Sequence, residues 1–179
     1  VDGRGRVWVA YEERDAEWGK DFGTEAQEEG SNLYRSSAVR VRCLDGGNRF
    51  DAPDPVALAP QPLRVMNSFP RLAVDRSGHP WLAFRHRFEP RNNAVGGVWT
   101  EHVTSLSDKE WSPPQVVPRS DGMLDNRPAL VVPQDGPVHL IYSGDGRMSG
   151  DTDAINAGLN VAALVGTGES KDPVLAEVK

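Results

Sequence analysis

The sequence predicts an all-β chain: a β-propeller segment of about three four-stranded antiparallel blades, the first lacking its opening strand. Three observations predict it. A hairpin-and-strand pattern occurs three times along the chain. Glycines and prolines, 18 and 14 of them, cluster where the copies of that pattern join. Between turns there is seldom an uninterrupted window of eleven residues with an apolar 3.6 period, so helices have no room.

The first element is a turn followed by a strand. Gly5-Arg6-Val7-Trp8-Val9-Ala10-Tyr11, Gly78-His79-Pro80-Trp81-Leu82-Ala83-Phe84 and Gly136-Pro137-Val138-His139-Leu140-Ile141-Tyr142 align without gaps; the second copy lies 73 residues after the first and the third 58 after the second. Ahead of them stand Asp2-Gly3-Arg4-Gly5, Asp75-Arg76-Ser77-Gly78 and Pro133-Gln134-Asp135-Gly136, where glycine supplies the positive φ of a tight hairpin. Before the second and third turns come apolar runs, Arg71-Leu72-Ala73-Val74 and Ala129-Leu130-Val131-Val132, each led by proline at Pro70 and Pro128. Proline suits a first strand position, which needs no ladder donor.

The second half of each unit repeats too. Val39-Arg40-Val41-Arg42 and Val98-Trp99-Thr100-Glu101-His102-Val103 alternate as half-buried strands and lead through polar turns to Phe50 with Pro53 and to Trp111 with Pro113. A weaker third copy runs through Leu159–Leu164 and on to Pro173-Val174-Leu175. The units expected are 1–62, without its first strand and with a long loop insertion, 63–120 and 121–179. Exposed flanks at both ends of such a stack imply a longer polypeptide of six to eight blades, or self-association that closes the ring.

Composition removes several functions. With 20 Lys+Arg against 26 Asp+Glu the net charge is −6, which argues against a nucleic-acid partner. Cys43 is the lone cysteine, so neither a disulfide framework within the chain nor a cysteine-based zinc site is available. No stretch approaches eighteen apolar residues, and Val1-Asp2-Gly3 opens without a signal-peptide pattern, so no membrane association is expected and any leader is expected upstream. Phosphate-cradling glycine loops and the G-x-S-x-G elbow are absent from the sequence.

The pattern of proline, apolar strand, Asp-x-x-Gly, Trp-apolar-Ala-aromatic and then Trp111-Ser112-Pro113 resembles the bacterial-neuraminidase-type repeat of sialidase-like propellers. Leu106-Ser107-Asp108-Lys109-Glu110-Trp111 is similar to the Asp-box of that family but lacks the glycine and threonine before the tryptophan. Trp18-Gly19-Lys20-Asp21-Phe22, Arg85-His86-Arg87 and Leu124-Asp125-Asn126-Arg127-Pro128-Ala129-Leu130 look like the propeller upstream of an uncharacterised PHP-like metallohydrolase-type domain in bacterial multidomain proteins. The resemblance implies a periplasmic or extracellular setting. It also implies, as an alternative function, a fragment of a sialidase-like glycoside hydrolase in which arginines hold the substrate carboxylate beside an aspartate acid/base and a tyrosine activated by glutamate. Arg71, Arg85 and Arg127 are the arginines available for that role. Fold resemblance alone does not supply a reaction, so the reading preferred is a non-catalytic scaffold that binds a glycan, a peptide or a neighbouring domain.

In a four-stranded blade the loops from strand two to three share one rim with the connections between blades. Sorted that way, Glu12 to Ser37, Arg85 to Gly97 and Ser143 to Gly158 fall on a single rim, while the other receives only tight turns. The candidate ligand-binding residues are Glu12, Glu13, Trp18, Lys20, Asp21, Asn67, Arg85, His86, Arg87, Glu89, Asn126, Arg127, Asp145 and Arg147. Arg85 and Arg87 offer planar bidentate partners for an anion, or pair with Glu89 and other loop carboxylates. His86 is a general base only if a carboxylate orients it. Trp18, in a polar loop, presents a sugar-stacking face or pins the loop. Trp8, Trp81, Trp99 and Trp111 fall at strand positions and are read as packing between blades. No cofactor is expected; the one metal suggestion is calcium at Asp145, Asp151, Asp153 and Asn156, in a glycine-rich loop without EF-hand spacing.

Overall fold

The computed structural model describes residues 1–23, 27–60, 63–88, 98–122, 127–144, 158–165 and 174–178. Among them every regular element is a strand. Three antiparallel sheets follow one another along the chain. In the first, β1 (Val7–Glu13) pairs with β4 (Ala38–Asp45), which pairs with β5 (Asn48–Asp51). Between β1 and β4, a loop carries a two-residue parallel ladder of β2 (Trp18–Gly19) with β3 (Ser31–Asn32). The second sheet runs β6 (Asn67–Val74), β7 (Pro80–Phe88), β8 (Val98–Ser107), with the outer edge of β8 shared by β9 (Glu110–Trp111) and β10 (Gln115–Val116). The third is a meander of β11 (Ala129–Val131), β12 (Val138–Gly144), β13 (Gly158–Val165) and β14 (Val174–Val178).

The turn chemistry accounts for the hairpins. Gly5, Gly78 and Gly136 take φ of 80, 87 and 96°, as their place in the repeated turn requires. Asp75 caps its turn by accepting the backbone N–H of His79 and then the indole N–H of Trp81. Asp2 does the same for Arg4, Arg6 and Trp8.

Strand periodicity then sets the packing. Along β7, Leu82 and Phe84 point one way and Trp81 and Ala83 the other, and all four are buried. Leu82 and Phe84 meet Trp8, Ala10, Val39 and Val41 of the first sheet. Trp81 and Ala83, with Val103, meet Val138, Leu140, Tyr142 and Leu164 of the third. The second sheet is therefore covered on both faces, which is why β7 reads as a near-continuous apolar run. Trp8, Trp81 and Trp111 pack between sheets as expected. Not expected from the sequence was the contribution of the segment after β5: Val56, Ala59 and Leu63 are buried in the first core, their turn begun by the Asp54 side chain accepting the Val56 N–H. That segment is too short for its apolar spacing to register as a helix.

Candidate functional site

The site grows from one irregular stretch, Asn67-Ser68-Phe69-Pro70-Arg71. Pro70 has no N–H to give the ladder, and the pairing of β6 with β7 slips between Ser68 and Arg71. Met66 and Phe69 take φ of 61 and 53°, uncommon for residues with a side chain. The Phe69 N–H, turned out of the ladder, donates to Glu12 Oε1 at 2.7 Å. Glu12 thus fastens the end of the first sheet to the bulge of the second.

The bulge places the Phe69 ring within reach of two cations. The guanidinium carbon of Arg85 lies 5.2 Å from its centroid and that of Arg127 lies 5.3 Å away. Arg85 also lies over Trp99, at 4.3 Å, and Tyr34 meets Trp99 edge-on at 5.0 Å. Directly across the β7–β8 ladder from Arg85 stands Glu101. Their Nε and Oε1 are 3.9 Å apart, an ion-pair separation but too long for a hydrogen bond. The Glu101 side chain is 0% exposed, and neither of its oxygens has a hydrogen-bond partner among the described residues. Burial pushes its carboxyl up to about 9, against the opposing pull of Arg85 and Arg71.

The opposite face of the same strands carries a second polar group. His86 Nδ1 and Asn67 Oδ1 are 3.1 Å apart, and Thr100 Oγ1 lies 3.0 Å from His102 Nε2. The two imidazoles meet edge to face at 5.7 Å. Burial lowers the His86 pKa and takes that of His102 down to about 3, helped by His86, so both rings are neutral near pH 7.

One expectation is corrected here. Arg85, His86 and Arg87 are not loop residues, because β7 continues to Phe88; Arg85 and His86 are buried within it, and Asn67 is buried beside them. The strand residue Glu101 faces Arg85 across the ladder, while Glu89, the loop carboxylate expected near it, lies outside the described residues. His86 Nδ1 meets the Asn67 amide, whereas its reading as a general base is conditional on a carboxylate.

Trp99, read as sheet packing only, also lies under the Arg85 guanidinium. Of the remaining candidates, Glu12 and Arg127 converge on Phe69, and Arg87 lies over Tyr34 at 5.8 Å. Glu13 turns away and pairs with Arg40 on the outer face of the first sheet. Trp18 is 39% exposed, with Arg14 over its ring at 4.1 Å, and Arg14 in turn pairs with Glu12. Lys20 and Asp21 are exposed in the same loop. Glu89, Asn126, Asp145 and Arg147, and the calcium suggestion at Asp145, Asp151, Asp153 and Asn156, lie outside the described residues. Among the described residues no cluster of three His, Cys, Asp or Glu side chains is placed to hold a metal.

Phe69, Trp99 and Glu101 are the members that sequence reasoning missed. Glu101 had a signal: it stands between Trp99 and Val103 on the apolar phase of an alternating strand, where a carboxyl is out of place. Phe69 had none, since its direction depends on the bulge.

The site is thus a gradient from a buried Arg85–Glu101 pair, through Phe69 and Arg71, to an exposed Arg127. Guanidinium groups in partly desolvated aromatic surroundings favour planar anions such as carboxylates. No protein-family model, curated protein or solved structure matches the chain.

Proposed function

We propose that the three stacked sheets are consecutive blades of a β-propeller, and that this chain is a non-catalytic scaffold whose rim binds a carboxylate-bearing glycan or peptide. The observation that carries the reading is the placement of Arg85 and Arg127 on the Phe69 ring, with Glu101 facing Arg85 across the ladder. The buried Glu101 carboxyl, held protonated by burial, leaves the arginine charge uncompensated, and the exposed Arg127 is the cation an incoming anion meets first. Trp18, reached through Glu12 and Arg14, extends the same rim with an indole that suits the apolar face of a sugar.

The test is titration calorimetry with acidic oligosaccharides, sialylated or uronic-acid-containing, against their neutral counterparts. The reading expects binding of the acidic set only, weakened at least tenfold by Arg127→Ala and by added salt. Equal affinity for neutral and acidic sugars would sink it. A glycoside-hydrolase reading uses the same three arginines, and it is separated by assaying release of the leaving group from an aryl sialoside.

A further inference from the structure

Tyr34 stands where the backbone calls for a glycine. The Arg35 N–H donates to the Asn32 carbonyl at 3.0 Å, closing a turn in which Tyr34 holds the third place with φ of 75°. Glycine or asparagine ordinarily fills that place when φ is positive, because a Cβ crowds the left-handed backbone. The conformation is held from outside the turn. The Tyr34 carbonyl accepts the Ser37 N–H at 3.1 Å and the Ser37 hydroxyl at 2.8 Å, and the Ser37 carbonyl accepts the N–H of Asn67 in β6 at 3.0 Å. A loop of the first sheet is thereby fastened to the irregular stretch of the second that carries the arginine rim.

Core packing does not account for the tyrosine. Tyr34 stays partly exposed and belongs to neither buried cluster, although its ring meets the buried Trp99 edge-on at 5.0 Å and has the Arg87 guanidinium carbon 5.8 Å from its centroid. Through Trp99 and Arg85 it is joined, contact by contact, to Phe69 and Arg127. Residues held in such a conformation by their surroundings cluster at ligand-binding sites. We propose that Tyr34 is a ligand platform, and that the rim takes an acidic oligosaccharide of two or more residues: the carboxylate of one sugar meets Arg127, and the apolar face of its neighbour lies on the Tyr34 ring. A phenol offers that face an apolar body and a hydroxyl to pair with. The platform sets the length of the ligand, since Trp99, Arg85 and Phe69 intervene in the chain of contacts from Tyr34 to Arg127. The inference rests on the anion-binding reading of the rim, and its test separates the two.

The experiment is titration calorimetry on the full chain with glucuronic acid alone and with a disaccharide of glucuronic acid and a neutral hexose. Wild type should bind the disaccharide at least about tenfold more tightly. Tyr34→Gly and Tyr34→Asn both suit the positive φ, so each should keep the melting temperature of wild type, erase the preference for the disaccharide and leave affinity for the monosaccharide within about twofold. Arg127→Ala should weaken both ligands. Equal binding of the two sugars by wild type overturns the platform while leaving the rim, as does a preference for the disaccharide that survives both Tyr34 variants. Variants that melt lower and lose both ligands alike would make Tyr34 a structural residue. A peptide of glutamates bound as tightly as the disaccharide would give the rim to a peptide, and no binding of either acidic sugar would overturn the rim reading and the platform together.

Discussion

The Asp75 carboxylate accepts the indole N–H of Trp81 at 3.1 Å, and Asp2 accepts that of Trp8 at 3.0 Å, each across six residues. In the third copy of the turn the corresponding positions hold Pro133 and His139, so carboxylate and indole are absent together. The bond ties a hairpin turn to the tryptophan that enters the core between sheets. Removing the acceptor strands a partly buried indole donor. Asp75→Ala is expected to cost about 1–2 kcal/mol, and a double-mutant cycle with Trp81→Phe should return most of that as coupling. Additive effects in urea unfolding would show that the bond does not hold the turn.

Asp2 adds a pH dependence. Hydrogen bonds from Trp8 first, and then from the backbone and side chain of Arg6 and the backbone of Arg4, hold its carboxyl well below the ordinary value of 3.8. A carboxyl with a depressed folded pKa contributes stability that is complete above its unfolded value and is lost as pH falls through the folded one. The melting-temperature difference between wild type and Asp2→Ala should therefore be constant near neutrality and shrink below pH 4.

Glu101 gives the opposite sign. Its folded pKa of about 9 stands above its ordinary 4.5, so the folded state holds the extra proton and stability falls as pH rises between those values. The depressed histidines His86 and His102 act in the other direction, below about 6.5, where the unfolded chain gains protons that the buried rings refuse. Between pH 7 and 8.5 the slope belongs mainly to Glu101. Glu101→Gln, neutral and nearly the same shape, should be more stable than wild type at pH 7 and flatten that slope in chemical denaturation. A wild type whose stability stays flat across the window would mean an ionised carboxylate paired with Arg85.

Gly144 ends β12 against the connection between the second and third sheets. A Cβ there would lie 1.9 Å from the Arg119 carbonyl oxygen, a backbone atom that cannot swing aside. Gly144→Ala should destabilise by about 1–3 kcal/mol or more as overpacking forces the two sheets apart. Thermal unfolding measures it, and an unchanged melting temperature would show that the connection yields freely.

Glu12→Ala removes the acceptor of the Phe69 N–H while leaving the arginines in place. The loss expected is about 1–3 kcal/mol for an unsatisfied, partly buried donor. If the bulge aims the rim, affinity for an acidic ligand should fall along with it, whereas Glu13→Ala, on the outer face, should leave affinity unchanged.

The all-β class and the three turn-and-strand copies were legible because they rest on local chemistry. Glycine at Gly5, Gly78 and Gly136 admits the hairpin φ, and the alternation along β4 and β8 follows from a two-residue period that any strand must obey. The same period carried the warning at Glu101, a carboxyl on an apolar phase. What the residues alone left open was where strands stop and which polar groups meet. Arg85-His86-Arg87 looked like the start of a loop because charge usually marks solvent, yet sheets on both faces bury Arg85 and His86 in the ladder. The union of Glu12, Phe69, Arg85 and Arg127 spans two sheets and the segment leading into the third, and depends on a slip in register at Pro70. Turns and periodicity are short-range and written in neighbouring residues; burial and the meeting of distant side chains arise only when the sheets stack, and that was decided by the tertiary structure.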